Sequence, residues 1–273
     1  SYPRYLMLPR IGVALQPDSM ARAALPDVRA LIGGGWQPDL IDAHYLYPDG
    51  VAAGLLARRL GLPFVMTARG TDVNVIAQQP GPGRRILEAA RQAVGVIAVS
   101  RPLKDALVRI GVDEAKIVVL RNGVDVEVFR PADAAEARRR LDLPIQGRLL
   151  LSVGNLVPEK GQALAVEALL HLPGWRLLVV GDGPERTSLQ ALARRLRVAE
   201  RMEIRPPMPQ AELRYAYAGA DVLALTSTRE GWPNVVLEAQ ACGTPVVGFD
   251  VGAVSDMLGD VSVGRLVERR DAV

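Results

Sequence analysis

The sequence is poor in the residues that form disulfides, bind metals or stack on nucleic acid bases. Its 273 residues include one cysteine, Cys242, and two histidines, His44 and His171. A single cysteine excludes an internal disulfide framework, and this set does not support a structural zinc site. Aromatic residues make up only 4% of the chain, which argues against a stacking platform for single strands. We expect Cys242 to pack in the last turn of its helix.

Lysine is also scarce, at three positions, so that arginine carries nearly all of the positive charge. The formal net charge of +3 is small and the basic residues are dispersed, which predicts no nucleic acid partner. A phosphate-bearing small ligand, or peripheral contact with an anionic membrane surface, is compatible with this charge. We interpret Arg138 to Arg140 as a solvated helix face rather than a binding patch.

Long apolar runs are missing as well. No stretch reaches the length of a transmembrane helix, and no signal peptide opens the chain. With the single cysteine, this predicts a soluble, cytoplasmic protein or fragment. The length and the 49% hydrophobic content allow two domains with sizeable cores.

Strand-like and helix-like patterns alternate along the chain, which predicts βαβ units and mainly parallel sheets. In the first half, strands are expected at 64–66, 96–99 and 117–120, and helices at 50–60, 84–94 and 102–109. In the second half, strands are expected at 149–153, 176–180, 202–204, 221–225 and 245–249. Helices are expected at 161–170, from the turn at 181–184 through residue 195, at 212–218 and after Pro233. Arg121 to Pro131 contains turn residues, and we interpret it as the crossing between two domains, 1–130 and 131–273.

Two carboxylates eight residues apart, Glu230 and Glu238, flank a predicted loop-to-helix junction. The apolar run 222–225 indicates a buried parallel strand, Pro233 favours the first turn of a helix, and Gly243 favours its end. Glu230 is therefore expected on a loop at the carboxyl end of a strand. Ligands bind at that edge of open α/β sheets, and a helix start attracts anions. Two acids beside an anion site predict a ligand with hydroxyl and phosphate groups.

This region resembles the retaining glycosyltransferases of family 4, whose members have the GT-B fold. The string from Arg229 to Ala239 contains the family's acid pair with seven residues between the two acids. Further family-like strings follow the family's order: His44 with Pro48-Asp-Gly50, Gly70-Thr-Asp72, Asn122-Gly-Val-Asp125, Val153 to Gly161, and Gly181 to Pro184. The resemblance implies an α/β fold with two Rossmann-like domains, whose mainly parallel sheets face each other across a cleft. The first domain would be on the acceptor side, and the second would bind the nucleotide-sugar donor.

The resemblance also implies roles for individual residues. Lys160 follows a strand and a glycine-containing turn, where an ammonium group would neutralise a diphosphate, and the family places a lysine there. Glu230 would hold hydroxyls of the donor sugar, and Glu238 would hold the ribose hydroxyls. The other residues expected in donor binding are Gly154, Asn155, Gly181, Asp182, Gly231, Asn234 and Val235.

On the first domain, Asp42 and His44 lie at one expected strand end, and Arg69 to Asp72 lie at another. The family often has a histidine where Arg69 stands. An arginine stays charged and cannot act as a general base, so we expect Arg69 to bind an acidic acceptor or the donor phosphate. His44 is about equally consistent with a functional and with a hydrogen-bonded structural histidine. Both residues join Glu230 and Lys160 in the expected catalytic set.

Several other positions depart from the family pattern. Asn155 replaces the usual arginine, and it can hydrogen-bond a phosphate oxygen but adds no charge. Pro206 replaces a glycine near the nucleobase, and Gly252-Ala-Val-Ser-Asp256 replaces a Gly-Gly-x-Pro-Glu loop. Residues 1–31 lack the strand and glycine-rich loop with which family members usually open, and the chain stops soon after the acid pair. We therefore expect a fragment truncated at both ends.

The prediction is a metal-independent, retaining glycosyltransferase that moves a sugar from a nucleotide sugar to a glycan, lipid-linked or polysaccharide acceptor. No Asp-x-Asp cluster offers a divalent cation site, and no cofactor is expected because the nucleotide sugar is a substrate. No carboxylate for a covalent intermediate is evident, which leaves attack and departure on the same face of the sugar as the family's favoured route.

Two alternatives remain. One is a nucleotide-sugar epimerase of the same fold, which would consume its substrate without an acceptor. The other is a non-catalytic module that binds a nucleotide, and it is motivated by Asn155, by Arg69 and by the missing first loop. A hydride-transfer enzyme is not indicated, because no complete Gly-x-Gly-x-x-Gly follows a strand.

Overall fold

The computed structural model describes residues 4–5, 12–259 and 263–267. The chain divides into two compact units between Arg121 and Asn122. This division falls inside the predicted crossing segment but earlier than the boundary expected after residue 130. The reason is that the residues after Arg121 pack with the second unit: Trp232 Nε1 donates to the carbonyl oxygen of Asn122 at 3.1 Å, and Phe129 lies in the same core as Tyr217. Residues 1–3, 6–11 and 268–273, on which part of the expected truncation rests, lie outside the described residues.

The first unit contains a four-stranded sheet whose strand order, β1-β2-β3-β4, follows the chain. Its elements are α1 (Gly12–Gly33), β1 (Ile41–His44), α2 (Val51–Leu60), β2 (Phe64–Ala68), α3 (Pro80–Gln92), β3 (Gly95–Ala98), α4 (Arg101–Arg109) and β4 (Ile117–Val119). All three strand pairs are parallel. The carboxyl ends of the strands therefore meet along one edge of the sheet.

The second unit contains a six-stranded parallel sheet with the order β10-β9-β8-β5-β6-β7. Its elements are α5 (Ala134–Arg140), β5 (Arg148–Val153), α6 (Gln162–Ala168), β6 (Trp175–Val180), α7 (Arg186–Arg195), β7 (Met202–Arg205), α8 (Gln210–Gly219), β8 (Val222–Leu225), α9 (Asn234–Ala241), β9 (Val246–Phe249), α10 (Val254–Met257) and β10 (Gly264–Val267). The chain moves outward from β5 to β7 and then returns to β8, on the other side of β5. β5 and β8 are paired neighbours at which the direction of the strand order reverses. Their carboxyl ends form a topological switch point, where doubly wound sheets bind their ligands.

Alternating side chains of the central strands build two cores, one on each face of this sheet. Leu149 and Leu151 join a cluster with residues of α5, α8 and α9, whereas Leu150 joins a cluster with residues of α6 and α7. A parallel strand covered on both faces is apolar throughout, which explains the continuous run of leucines. The predicted α/β class with parallel sheets is confirmed.

Arg138 is buried, so the interpretation of 138–140 as a wholly solvated face is wrong for this residue. Its guanidinium group donates to the carbonyl oxygen of Gly219 and to Asp221 Oδ2, both at 2.7 Å. It also donates to the carbonyl oxygens of Ile145 and Gly147, at 3.0 and 2.8 Å. An arginine can be buried when its charge is paired and its N–H groups are satisfied. Its two neighbours, Arg139 and Arg140, are exposed.

Cys242 is buried directly after α9, as expected, and burial raises the pKa of its thiol to about 11. The thiol therefore stays protonated at neutral pH. Among the described helices, none is both long and apolar enough to cross a membrane.

Candidate functional site

An ion pair between Lys160 and Glu230 lies at the switch point of the second unit. Lys160 Nζ is 2.6 Å from Glu230 Oε1, and the two side chains are 31% and 8% exposed, respectively. Lys160 is in the loop after β5 and Glu230 is in the loop after β8, and these strands are neighbours in the sheet. The structure thus brings together two residues that the sequence predicts separately, on one edge of the sheet.

The loops that carry this pair are tied to each other through their backbones. Pro158–Lys160 forms a single 3₁₀ turn. Thr228 N donates to the carbonyl oxygen of Glu159 at 2.8 Å, and Thr226 Oγ1 donates to the carbonyl oxygen of Lys160 at 2.9 Å. On the surface, Arg229 and Glu159 form a second ion pair at 3.3 Å. The backbone of Lys160 is therefore anchored to the loop that carries Glu230.

Glycines allow these loops to come into contact. A Cβ atom at Gly161 would overlap the carbonyl oxygen of Thr226, and one at Gly181 would overlap the carbonyl oxygen of Gly154. A Cβ atom at Gly252 would overlap the carbonyl oxygen of Glu230 itself. Gly161 and Gly252 also have positive φ values, +62° and +60°, which glycine adopts without a steric penalty.

Gly154 has a different surrounding from the other glycines of the site. The nearest atom to a Cβ built there is Lys160 Cε, at 4.0 Å. The space above this turn is therefore bordered by the lysine side chain and is not filled by backbone. A ligand phosphate could reach both the turn and the ammonium group from there.

Glu238 lies on α9 and accepts a hydrogen bond from a buried tyrosine. Tyr217 Oη donates to Glu238 Oε2 at 2.7 Å. Burial raises the pKa of Glu238, and the hydrogen bond from Tyr217 acts in the opposite direction. Burial and the neighbouring Glu238 charge raise the pKa of Tyr217 well above its usual value, so the phenol is the donor. Sequence reasoning missed Tyr217, because nothing in an apolar helix shows which side chain its hydroxyl will meet.

The other predicted donor-binding residues differ in exposure and in their contacts. Asn155 and Asp182 are exposed, and Asp182 is 3.9 Å from Arg186. Asn234 begins α9, and its Oδ1 accepts a hydrogen bond from Asn122 Nδ2 at 3.0 Å. Gly231 is half-buried in the preceding loop. Val235 packs against the core of the unit, so that only its backbone N–H is suited to a ligand contact.

The helix start lies one residue later than the sequence suggests. Pro233 is the residue that precedes α9 instead of its first helical residue, and no side chain caps this end of the helix. The first-turn N–H groups are therefore not occupied by a capping side chain, which suits an anion.

In the first unit, His44 lies between an acid and an arginine at the carboxyl ends of β1 and β2. Its Nε2 is 3.2 Å from Asp42 Oδ2, and its Nδ1 contacts Arg69 Nη2. Arginine can only donate, so Nδ1 accepts and Nε2 carries the proton that is donated to Asp42. Both ring nitrogens are thus engaged, and the role of His44 stays a prediction.

Asp72, in the same unit, is fully buried and holds its loop together. Its carboxylate accepts hydrogen bonds from the backbone N–H groups of Leu46, Arg69, Gly70 and Val73, at distances between 2.7 and 3.2 Å. This carboxylate organises the chain around Arg69. Over the described residues, no group of three or more His, Cys, Asp or Glu side chains is placed to hold a metal ion.

Two family models match the chain. The model described as glycosyl transferases group 1 matches residues 133–273, and the model described as Glycosyltransferase Family 4 matches residues 4–128. The chain belongs to the group 1 glycosyltransferases. This confirms the family that the acid pair and the glycine turns indicate.

Among curated relatives of this glycosyltransferase, a D-inositol 3-phosphate glycosyltransferase of Acidothermus cellulolyticus is 36% identical. The alignment is 275 positions long and covers 91% of this chain and 60% of the relative. The putative teichuronic acid biosynthesis glycosyltransferase TuaC of Bacillus subtilis is 35% identical over 232 residues, which cover 81% of this chain and 56% of the relative. The chain thus spans somewhat more than half the length of these proteins.

Two solved structures show the fold. HepE of Anabaena, in complex with UDP and glucose, has a TM-score of 0.78 at 23% identity, over 89% of this chain and 68% of that one. Sucrose-phosphate synthase from Thermosynechococcus elongatus has the same TM-score and identity, over 97% of this chain and 68% of that one. The predicted GT-B fold class is confirmed by these likenesses.

Proposed function

We propose that this glycosyltransferase moves a sugar from a nucleotide sugar to a hydroxyl-bearing acceptor with retention of configuration, and that its second unit binds the donor. The observation that carries the proposal is the Lys160–Glu230 pair at the switch point of the sheet. A sugar diphosphate needs a cation for its phosphates and an acceptor oxygen for its hydroxyls, and this pair supplies both at one place.

Each site residue takes a distinct part in this proposal. Lys160, with the turn at Gly154 and the start of α9, stabilises the charge that develops on the departing diphosphate. Glu230 accepts hydrogen bonds from hydroxyls of the transferred sugar. Glu238 accepts hydrogen bonds from the ribose hydroxyls, and Tyr217 helps to keep it ionised.

The chemical step breaks the bond between the anomeric carbon and the diphosphate oxygen and forms a bond from that carbon to the acceptor oxygen. The acceptor's proton passes to the departing phosphate oxygen on the same face of the sugar, so no enzyme base is required. Negative charge accumulates on the leaving group alone, where a lysine and backbone amides can balance it without a metal ion.

The acceptor is a glycan, a lipid-linked sugar or a polysaccharide, and the names of the relatives add a phosphorylated polyol to these classes. The exposed group of Asp42, His44 and Arg69 brings a permanent positive charge to the first unit, which suits an acidic acceptor. A cytoplasmic setting, with peripheral contact to an anionic membrane surface, is part of the same proposal.

A transfer assay on Lys160 variants tests the proposal. UDP-, GDP- and ADP-sugars are screened with candidate acceptors, and the release of nucleoside diphosphate is followed with and without EDTA. We expect activity to survive EDTA and kcat to fall about 100-fold in Lys160→Ala, the size typical of a lost charge stabiliser. Lys160→Arg should lose less, and Lys104→Ala, which changes an ion-paired lysine of the first unit, should lose nothing.

Three outcomes would contradict the proposal. Recovery of EDTA-treated protein only with magnesium or manganese would show that a cation balances the leaving group. Consumption of the nucleotide sugar without an acceptor would favour the epimerase. Binding of nucleotide without any transfer would leave a non-catalytic module.

A further inference from the structure

The cation that the donor diphosphate needs is already paired. Lys160 Nζ is 2.6 Å from Glu230 Oε1, and the Glu230 side chain is only 8% exposed. A carboxylate with so little access to water is unfavourable when it has lost its counter-ion. A diphosphate that draws Lys160 toward itself therefore competes with Glu230.

The surroundings determine which of the two partners moves. Gly252 approaches the carbonyl oxygen of Glu230 so closely that no side chain would fit, and the loop of Glu230 is tied to the loop of Lys160 by the bonds from Thr226 and Thr228. The Lys160 side chain, by contrast, is 31% exposed and borders the open space at Gly154. The backbone that carries Glu230 is therefore held in place, whereas the ammonium group of Lys160 has open space beside it.

From this geometry we infer that Glu230 is a competing counter-ion that promotes release of the nucleoside diphosphate and so makes the site discriminate between donor and product. With a nucleotide sugar, the sugar hydroxyls donate to Glu230 and replace the ammonium group that the diphosphate takes. After transfer the sugar is gone, and Glu230 draws Lys160 back from the product. The inference rests on the proposed function of this site and adds a role in specificity.

The signature of this role is an opposite effect of one substitution on two ligands. In Glu230→Gln the side chain keeps its shape but no longer attracts the ammonium group as a charge. Lys160 is then available to the diphosphate, so binding of the bare product should become roughly tenfold tighter, the size of one charge-assisted hydrogen bond. Binding of the nucleotide sugar should not become tighter, because the sugar hydroxyls lose their charged acceptor.

Isothermal titration calorimetry tests the inference on the whole chain. UDP, GDP and ADP identify the diphosphate that the wild type binds, and this diphosphate and its glucose ester are then titrated into wild type, Glu230→Gln, Lys160→Ala and the double variant. The inference is supported if Glu230→Gln binds the diphosphate more tightly than the wild type does and the double variant does not. The matched control is Glu159→Gln, which changes the neighbouring surface carboxylate that pairs with Arg229 and should alter neither affinity.

The remaining outcomes separate this inference from the proposed function. Unchanged or weaker diphosphate binding in Glu230→Gln, with normal wild-type binding, overturns the inference and leaves the donor site standing. A wild type that binds none of the diphosphates and none of their sugar esters overturns both. If Glu230→Gln does not fold, as judged by circular dichroism, Glu230→Asp replaces it; the shorter carboxylate reaches Lys160 less well and should also bind the product more tightly.

Discussion

Asp72 in the first unit and Glu230 in the second are carboxylates in corresponding positions, in the segments that directly follow β2 and β8. Asp72 is fully buried, and backbone N–H groups of four residues take up its oxygens. The Glu230 side chain is nearly buried too, but its carboxylate pairs with a lysine side chain from another loop. Backbone donors cannot leave without unfolding the loop, whereas a side-chain donor can rotate away.

The comparison separates a carboxylate that builds its loop from one that can exchange partners. Both belong to strings by which the chain resembles its family, so a family motif alone does not tell the two uses apart. The nature of the donors does. Three substitutions sharpen the distinction, and they follow in order of decreasing effect.

The largest effect is expected for Asp72→Ala. The substitution leaves the N–H groups of Leu46, Arg69 and Gly70 without this acceptor, whereas Val73 N keeps its bond to the carbonyl oxygen of Gly70. Each unsatisfied buried group costs about 1–3 kcal/mol. We expect the free energy of unfolding of the first unit to fall by about 4 kcal/mol, measured by urea denaturation followed by circular dichroism. The control is Asp42→Ala, an exposed acid at the same edge, which should change it by less than about 0.5 kcal/mol. A small loss in Asp72→Ala would contradict the structural role.

An intermediate effect, confined to low pH, is expected for Tyr217→Phe. The hydrogen bond from Tyr217 lowers the pKa of Glu238, which burial raises, so its loss moves this pKa further up. In the proposed function the ionised carboxylate of Glu238 accepts the ribose hydroxyls, so nucleotide affinity should be lost at a higher pH than in the wild type. At the acid end of the profile we expect a loss of roughly tenfold, corresponding to about 1.4 kcal/mol for one hydrogen bond to a charged group.

Nucleotide titrations across the pH range check this prediction. Cys242 and Arg214, the other titratable groups near this pair, are unchanged in the variant. The control is Tyr215→Phe. The Tyr215 hydroxyl contacts Arg214 instead of Glu238, so its removal should not change the pH at which nucleotide affinity is lost. If nucleotide affinity is lost at the same pH in Tyr217→Phe as in the wild type, the hydrogen bond does not lower the pKa of Glu238.

The smallest effect is expected for His44→Ala. The His44 and Asp42 side chains are 55% and 51% exposed, and pairs so well solvated contribute little to stability. We expect the free energy of unfolding to stay within about 0.5 kcal/mol of the wild type and nucleotide affinity to be unchanged. Calorimetry and urea denaturation measure both quantities. A large loss of nucleotide affinity would favour the functional interpretation of His44.

Much of the fold could be predicted, because buried parallel strands have continuous apolar sequences. The strands near 149–153 and 222–225 and the helices after them follow from this pattern. The helix Gly12–Gly33 was not predicted, since Pro17 and Pro26 inside it are residues that usually end helices. The burial of Arg138 was not predicted either, because its partners at 219 and 221 are far away in sequence.

In the candidate site, too, local patterns could be predicted and contacts between distant residues could not. Glu230, Lys160 and the glycine turns could be named from their order along the chain and from the resemblance to the family. The direct pairing of Lys160 with Glu230 could not be predicted. The two residues are 70 positions apart in sequence, and they meet because β5 and β8 are neighbours in the sheet. The roles of the named residues in donor binding and catalysis remain predictions, as does the division into domains 1–130 and 131–273.

The segment 122–129 determines where the chain could be recombined with a relative. It packs with the second unit through the contact of Trp232 with Asn122 and through Phe129, whose ring lies 6.0 Å from that of Tyr217 in an edge-on arrangement. A crossover after residue 130 would replace Phe129 with another chain's residue while keeping Tyr217, and would disturb the packing behind Glu238. A crossover at residue 121 would carry Phe129, Tyr217 and Glu238 together, so that the second unit could be exchanged with these contacts intact.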